Sequence, residues 1–92
     1  MLNYGIFETD TFVRGFYKTL QYKASSFREI LFSKVYPQLK NQPYYGPNIK
    51  KLKSYVDETW RYRIGDYRLF YRINPHNKLV SILTIEHRKD AY

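Results

Sequence analysis

Arginines recur at short intervals in the second half of the sequence, and their spacing suggests phosphate chemistry. Arg61 and Arg63 are two residues apart, and Arg68 and Arg72 follow them after a short turn. Residues two apart in an extended strand point to the same face. We therefore predict that Arg61, Arg63 and Arg68, with Arg72 as a further member, converge on one concave surface. The alternative is that these side chains only solvate an exposed sheet face.

A cluster of guanidinium groups suits the cleavage of a nucleic-acid strand. A guanidinium pairs bidentately with phosphate and stays protonated at every relevant pH, and fixed cations stabilise the extra negative charge on a pentacoordinate phosphorus. Upstream, Lys50, Lys51 and Lys53 form a basic cluster. Contacts of this kind position a phosphate backbone without reading its sequence. A solvated face explains the lysines equally well.

The composition has the same bias toward positive charge. Sixteen Lys and Arg residues against eight Asp and Glu residues give a net charge of +8 over 92 residues. A field of that size attracts RNA or DNA, or an acidic protein, although a solvated surface is the alternative. Hydrophobic residues at 43% and aromatic residues at 20% indicate a folded chain rather than a disordered one.

Length and residue usage limit the remaining classes. A chain this short has room for one modest core, so we expect a single domain over residues 1–92. The absence of cysteine fits a reducing cytoplasm, no apolar run approaches the ~20 residues that span a bilayer, and acidic residues interrupt the place of a signal-peptide core. We expect a cytoplasmic protein with no membrane partner, no metal site and no small-molecule cofactor.

Hydrophobic spacing predicts an N-terminal strand followed by two helices. The strand lies around Tyr4 and Ile6, and the first helix has an apolar stripe at i, i+4 and i+8. Ser26 and Glu29 have the spacing of a capping box and predict the start of the second helix, which Pro37 should kink or end. The two stripes consist of Phe12, Phe16 and Leu20, and of Phe27, Ile30, Leu31, Val35 and Leu39.

After a loop over residues 41–48, a period of two predicts strands. These cover Thr59–Ile64, residues 67–73 and residues 79–85, joined by turns at residues 65–66 and 74–77. The predicted fold class is α+β, with an N-terminal strand and a two-helix hairpin packed on one face of a twisted antiparallel sheet of about four strands. The other face, with the arginines, remains open.

Two segments together resemble the second half of RelE/ParE-superfamily toxins from toxin-antitoxin systems. They are residues 60–73, WRYRIGDYRLFYRI, and residues 82–92, ILTIEHRKDAY. The stretch over residues 46–53, GPNIKKLK, resembles the family's approach to the sheet. The resemblance covers residues 47–92 most specifically. It implies the same helical hairpin on a twisted sheet that the periodicity predicts.

The resemblance also implies an activity. It is ribosome-dependent mRNA cleavage without a metal, in which the RNA's own 2′-hydroxyl attacks the neighbouring phosphodiester. Arg68 in the GDYR motif matches a phosphate-binding arginine of the family, and Arg88 matches a second one on the leaving-group side. Tyr92 matches a terminal tyrosine that stacks on a base. We accordingly expect Arg68, Arg88 and Tyr92 to be catalytic.

The general base is the open part of this prediction. Arg61 and Arg63 occupy positions where a RelE-type enzyme has lysines, and an arginine practically cannot lose its proton. His87 is the candidate that remains, because an imidazole can give or take a proton near neutrality. The alternative for His87 is an ordinary surface residue, and we expect His76 to be only a turn residue.

Two rival functions and one partner complete the expectations. A ParE-like DNA gyrase inhibitor and a non-catalytic RNA-binding module are the alternatives to an endoribonuclease, and the tail from Arg88 to Tyr92 favours the endoribonuclease. Besides mRNA on the ribosome, the resemblance implies a cognate antitoxin. Its acidic or amphipathic segment should cover the basic face and displace or block that tail. Tyr67 is the other tyrosine that we expect to stack on bases.

Overall fold

A computed structural model describes residues 3–53 and 57–89. The chain begins with a strand, continues through a helical layer and ends in an antiparallel meander. The strands are β1 (Gly5–Glu8), β2 (Ile49–Leu52), β3 (Thr59–Ile64), β4 (Tyr67–Asn74) and β5 (Leu79–His87), and the α-helices are α1 (Asp10–Leu20), α2 (Ala24–Ile30) and α3 (Tyr36–Asn41).

The strands form a five-stranded sheet in the order β1-β5-β4-β3-β2. The α+β class, with helices packed on the sheet, is confirmed, but the sheet is mixed, because β1 runs parallel to β5. The strand count also differs from the prediction, since β2 lies within the lysine-rich segment. A parallel pair needs a long crossover between its strands; here the helices and most of the meander lie between β1 and β5.

Helix α1 begins at Asp10, and Thr9 is its N-cap residue. The Thr9 hydroxyl accepts a hydrogen bond from the Phe12 backbone N–H at 3.2 Å and donates to the Ile82 carbonyl at 2.8 Å. A capping side chain satisfies a backbone N–H that has no partner within the helix. The same side chain therefore starts α1 and fixes it to β5. Phe12, Phe16 and Leu20 are buried, as their spacing predicts.

The second helix does not begin at the predicted capping box. A 3₁₀ turn over Gln21–Lys23 leads directly into α2, which starts at Ala24. The Ala24 backbone N–H donates to the Gln21 carbonyl. Because the preceding turn supplies a backbone acceptor, α2 needs no side-chain cap, and Ser26 lies exposed inside the helix.

The helical segment continues past Pro37, but its regular α-helical part is interrupted just before this residue. A π-helical turn over Leu31–Val35 follows α2, and α3 then continues to Asn41. Pro37 is the second residue of α3. Proline is tolerated in a first turn because its missing N–H has no helical partner there. The start of a new segment at Tyr36 thus accommodates the proline.

The hydrophobic core lies between the helical layer and one face of the sheet. Leu31, Val35 and Leu39 are buried in it, and Phe27 and Ile30 pack against it, which confirms the predicted second stripe. Two strand tyrosines enter the core and keep hydrogen-bond partners. The Tyr62 hydroxyl donates to Gln38 at 2.6 Å, and the Tyr71 hydroxyl donates to the Pro43 carbonyl at 2.7 Å. Buried hydroxyls are thereby satisfied.

A polar contact connects β1 to the helices. Glu8 lies 2.5 Å from an Arg28 guanidinium nitrogen and accepts a hydrogen bond from the Tyr36 hydroxyl, also at 2.5 Å. Burial and the neighbouring Glu8 carboxylate raise the pKa of Tyr36 well above its ordinary value. Arg28 also lies over the Phe16 ring, 4.4 Å from its centroid, an arrangement in which a cation is attracted to the ring face.

Within residues 3–53 and 57–89, no helix is long and apolar enough to cross a membrane.

Candidate nucleic-acid interface

The register of β3, β4 and β5 places a row of charged residues across the face away from the helices. Arg63 lies opposite Arg68, and Arg68 lies opposite Glu86. Partners directly opposite each other in an antiparallel pair have Cβ atoms about 4.5–5.5 Å apart. Two guanidinium groups and one carboxylate from three neighbouring strands therefore share one narrow band. We call the sheet surface that carries this band, on the side away from the helices, the arginine face.

Arg61 lies in the next row of the arginine face. Its neighbours across the strands are Lys50 and Phe70. The Asn48 carbonyl accepts from the Arg61 guanidinium at 3.3 Å and from the Arg63 backbone N–H at 2.9 Å. The loop that enters β2 thus contacts the Arg61 side chain and the Arg63 backbone.

Phe70 gives the arginine face an apolar floor. It is only 7% exposed, yet it does not belong to the core cluster beneath the helices. Arg68, on the same face of β4, is half-buried, and its Nη1 atom is enclosed by protein. A guanidinium in such surroundings is held in place more firmly than one on a fully solvated surface. Arg68 is therefore the best positioned cation of the set.

Arg88 lies one residue beyond β5 and continues its pairing with β4. The Arg88 backbone N–H donates to the Asp66 carbonyl at 2.7 Å, and its Nε lies 3.8 Å from the Asp66 carboxylate. This pairing places Arg88 on the side of Glu86 and diagonal to Arg68, a separation of about 7–8 Å. Gly65 permits the tight turn here, with φ +58. Arg68 and Arg88 are brought together at one end of the face.

The ion pair between Arg88 and Asp66 is exposed, with 55% and 62% of the two side chains accessible. Exposed pairs contribute little to stability, typically about 0–1 kcal/mol. Arg88 can accordingly exchange its carboxylate partner for a phosphate at small cost.

The remaining predicted cations lie farther from Arg68. Arg72 is four residues along β4, about 13 Å away at strand geometry, and its Nη2 is 3.4 Å from Asp57. Lys50 is on the arginine face opposite Arg61, whereas Lys51 pairs with Trp60 and reaches Glu58 at 3.5 Å. Lys53 is exposed past the end of β2. The structure therefore joins Lys50 to the site but turns Lys51 away.

His87 does not join the arginine face. It lies opposite Tyr67, and the two rings meet edge to face with centroids 5.0 Å apart. Tyr67 in turn packs on Phe27 of α2, so both rings are on the helical side of the sheet. The His87 Nδ1 accepts from the Lys89 backbone N–H at 3.2 Å. Because Tyr67 is only 8% exposed, it cannot offer its face to a base.

Two further predicted residues lie outside the site or outside the described residues. His76 is exposed in the turn between β4 and β5, where the sequence places it. Tyr92 is beyond the described residues, so its predicted role stays a prediction.

Glu86 is the residue of this site that sequence reasoning missed. The strand over residues 79–85 was predicted from its apolar run, which ends before Glu86. The pairing changes register between Phe70 and Tyr71, whose partners are Thr84 and Ile82. Leu83 is thereby left between them, and the alternation of faces along β5 reverses. This bulge turns Glu86 toward Arg68 and turns His87 toward the helices.

Comparison with known proteins identifies the class of this fold. A family model described as the ParE toxin of the type II toxin-antitoxin system parDE matches residues 12–92. The chain therefore belongs to this family of type II toxin-antitoxin toxins, within the RelE/ParE superfamily, as its motifs had suggested.

Individual relatives agree with this assignment. The chain is 42% identical over 43 residues to toxin RelG from Mycobacterium tuberculosis (strain ATCC 25618 / H37Rv); the match covers 47% of this chain and 49% of RelG, about half the length of that relative. The structure of the toxin-antitoxin complex RelBE2 from Mycobacterium tuberculosis is similar with a TM-score of 0.72 at 29% identity, over 95% of this chain and 100% of that one. An archaeal RelE-RelB complex from Pyrococcus horikoshii OT3 shares the fold, with a TM-score of 0.68 at 23% identity over 95% and 97% of the two chains.

Proposed function

We propose that this toxin is an mRNA endoribonuclease that acts on ribosome-bound mRNA. The observation that carries the proposal is the placement of Arg63, Arg68 and Arg88 around one end of the arginine face. Three guanidinium groups from three strand ends can surround a single phosphodiester.

The reaction that fits these groups needs no metal. The 2′-hydroxyl of the RNA attacks the adjacent phosphorus, and the bond from phosphorus to the 5′-oxygen breaks. Arg68, whose Nη1 atom is enclosed by protein, contacts the non-bridging oxygens, and Arg88 at the sheet's end lies on the leaving-group side. Fixed donors aimed at developing charge typically account for about 10²–10³-fold in rate each. Tyr92 is proposed to stack on a base next to the cut.

Other cations of the face extend the RNA path. Arg61 and Lys50 lie in the next row, and Arg72 lies farther along β4. Contacts from these residues to the phosphate backbone add affinity without sequence preference. Ribosomal RNA and the mRNA strand are both polyanions that such a surface attracts.

A cognate antitoxin is the second proposed partner. The similar structures from Mycobacterium tuberculosis and Pyrococcus horikoshii OT3 are complexes of a toxin with its antitoxin. For this chain, we propose that an acidic or amphipathic antitoxin segment covers the arginine face. The net charge of +8 favours an acidic partner.

A gyrase inhibitor is the second candidate function, and one observation favours it. The family model that matches residues 12–92 is that of the ParE toxin. A toxin of this kind would act on a protein complex rather than on RNA. Its arginine face would then be a docking surface, and neither wild type nor an Arg68 variant would cleave RNA.

Parallel assays discriminate the two functions. Purified toxin is incubated with preformed ribosome–mRNA complexes, and the mRNA is examined by primer extension; gyrase supercoiling is measured with the same preparation. We expect cleavage by wild type, a loss of about 100-fold in Arg68→Ala, and a partial loss in Arg68→Lys, which keeps the charge but not the fork.

The matched control is Arg14→Ala, which removes the same charge from an exposed position on α1. This variant should cut as fast as wild type. Inhibition of supercoiling without cleavage of mRNA would contradict the proposed ribonuclease function and would indicate a gyrase inhibitor. Binding of mRNA that Arg68→Ala weakens, with no cut by any variant, would indicate an RNA-binding module.

A further inference from the structure

The reaction proposed above needs a group that accepts the proton of the attacking 2′-hydroxyl. Arginines cannot serve, because a guanidinium stays protonated in proteins. His87, the candidate from the sequence, points to the helical side of the sheet, where it packs on Tyr67. The arginine face therefore needs a proton acceptor of another kind.

Glu86 has the required placement. It lies directly opposite Arg68 on the arginine face, and Arg88 follows two residues later on the same side of the chain. A phosphate held between Arg68 and Arg88 would thus lie beside this carboxylate. Glu86 is half-buried, so its side chain is constrained and still accessible to a ligand.

The other carboxylates near this face lie at its margins, each beside a cation. Within the part of the chain that the structure describes, Asp66 is drawn to Arg88 at 3.8 Å and Asp57 is drawn to Arg72 at 3.4 Å. Both are strongly exposed, with 62% and 68% of their side chains accessible. Glu86, in contrast, lies within β5, directly opposite Arg68 of β4.

We propose that Glu86 is the general base of this toxin. The inference rests on the proposed ribonuclease function. The Glu86 carboxylate takes the proton from the 2′-hydroxyl as the 2′-oxygen forms its bond to phosphorus. The bond between phosphorus and the 5′-oxygen breaks, and the leaving 5′-oxygen takes a proton from solvent. The products are a 2′,3′-cyclic phosphate and a 5′-hydroxyl, and Glu86 returns its proton to water.

The cations around Glu86 assist this step in two ways. Arg63, Arg68 and Arg88 keep the carboxylate close to the scissile phosphate, although a carboxylate alone would repel it. Their charge also stabilises the phosphorane once the proton has moved. Proton acceptance and charge stabilisation are thereby divided between residue types that suit each task.

Single-turnover cleavage of ribosome-bound mRNA tests this assignment. Glu86→Gln keeps the size of the side chain but removes the proton acceptor, and should slow cleavage by about 100-fold or more. The affinity for the ribosome–mRNA complex should remain within about threefold, because the loss is in the chemical step. Glu86→Asp should recover part of the rate. Glu29→Gln, an equal charge change on exposed α2, should leave the rate unchanged.

Chemical rescue separates a base from a residue that merely holds Arg68. Added formate should restore activity to Glu86→Ala, since a small carboxylate can enter the vacated space and accept the proton. It should not restore activity to Arg68→Ala. A structural role would instead leave Glu86→Ala insensitive to formate and lower its melting temperature.

The outcomes keep this inference distinct from the function on which it rests. If wild type cuts and Arg68→Ala does not, but Glu86→Gln cuts at the wild-type rate, then the proposal for Glu86 is wrong and the ribonuclease stands. A large loss in Asp66→Asn with none in Glu86→Gln would assign the base to Asp66 and overturn it as well. Absence of cleavage by wild type overturns both.

Discussion

Arg63 and Arg68 lie directly opposite each other on adjacent antiparallel strands. Like charges in this relationship destabilise a sheet, and the residues that flank them in sequence, Tyr62, Tyr67 and Leu69, are buried in the core. The register is therefore fixed by the apolar face, and the repulsion on the opposite face is tolerated. A cluster of like charges of this kind is typical of a surface that binds an anionic ligand.

The first prediction concerns this pair and stability. Arg63→Thr should raise the free energy of unfolding by about 0.2–1 kcal/mol, because it removes the repulsion and places a β-branched residue in a strand. The same variant should lose at least about tenfold in mRNA cleavage. Urea denaturation and primer extension measure the two effects. An Arg63→Thr variant that is less stable than wild type would show that repulsion between the two guanidinium groups does not govern stability at this position.

A second prediction concerns the salt dependence of RNA binding. Each phosphate neutralised on a single strand contributes about −0.7 to the slope of log K against log salt concentration. Arg68→Ala should therefore reduce the steepness by about 0.7, whereas Arg14→Ala should leave it unchanged. Fluorescence anisotropy with a labelled single-stranded RNA provides the measurement. Equal slopes for wild type and Arg68→Ala would remove Arg68 from the phosphate contacts.

A third prediction concerns His87, whose ring lies against Tyr67 on the helical side. His87→Gln should retain a cleavage rate within about threefold of wild type, because the imidazole takes no part in the chemical step. Its free energy of unfolding should fall by about 0.5–1.5 kcal/mol, because an edge-to-face ring contact is lost. The two readouts are single-turnover kinetics and chemical denaturation. A reaction about 100-fold slower in a stably folded His87→Gln would return the role of general base to the histidine.

A fourth prediction follows from two buried tyrosines. Burial, with the neighbouring Glu8, raises the pKa of Tyr36, and burial raises the pKa of Tyr71. Above the ordinary tyrosine pKa of about 10, the unfolded chain loses these protons while the folded protein keeps them. The contribution of these protonated hydroxyls to the free energy of unfolding is thus fully present below about pH 10. It is lost as the pH rises through the pKa values of the folded state.

Each such tyrosine should lower the free energy of unfolding by about 1.4 kcal/mol per pH unit in that window. Denaturation at about pH 9 and about pH 11, on either side of the ordinary tyrosine pKa, measures the loss. Tyr71→Phe should show a smaller loss than wild type, while Tyr22→Phe, at an 87% exposed position, should match wild type. An unchanged alkaline loss in Tyr71→Phe would show that ionisation of the Tyr71 hydroxyl is not its cause.

The sequence was sufficient for those parts of the site that depend on strict alternation. Arg61, Arg63 and Arg68 lie in strands whose apolar partners have a clear period of two, and the structure places all three on the face opposite the core. The position of Arg88 depends on the turn at Gly65, which the Gly-Asp pair also indicates. Local alternation therefore predicted correctly that Arg61, Arg63 and Arg68 share one face, whereas the expectation for Arg88 came from the family resemblance.

Local alternation could not predict which face of the sheet Glu86 and His87 occupy. A period of two counted from Val80 puts Glu86 on the core face and His87 among the arginines. The bulge at Leu83 reverses this order. A bulge arises from the pairing of two strands rather than from the composition of either one. An apolar run such as that in β5 offers no sign of where it lies.

The mixed sheet was missed for a related reason. Four residues with two central lysines give β2 little apolar signal, and its strand character depends on pairing with β3. Likewise, the direction of β1 is decided by its alignment with β5 far along the chain. Both features result from contacts between distant segments, which local propensity does not encode.

The central claim is that the arginine face cleaves an RNA phosphodiester, and the ends of the cut RNA test it most directly. After brief expression, ribosome-bound mRNA should carry new ends in cells with wild-type toxin, with 2′,3′-cyclic phosphates upstream and 5′-hydroxyls downstream of each cut. Cells with Arg68→Ala should lack them, and cells with Arg14→Ala should have them. New ends that bear 5′-phosphates, or equal cutting by wild type and Arg68→Ala, would contradict the account.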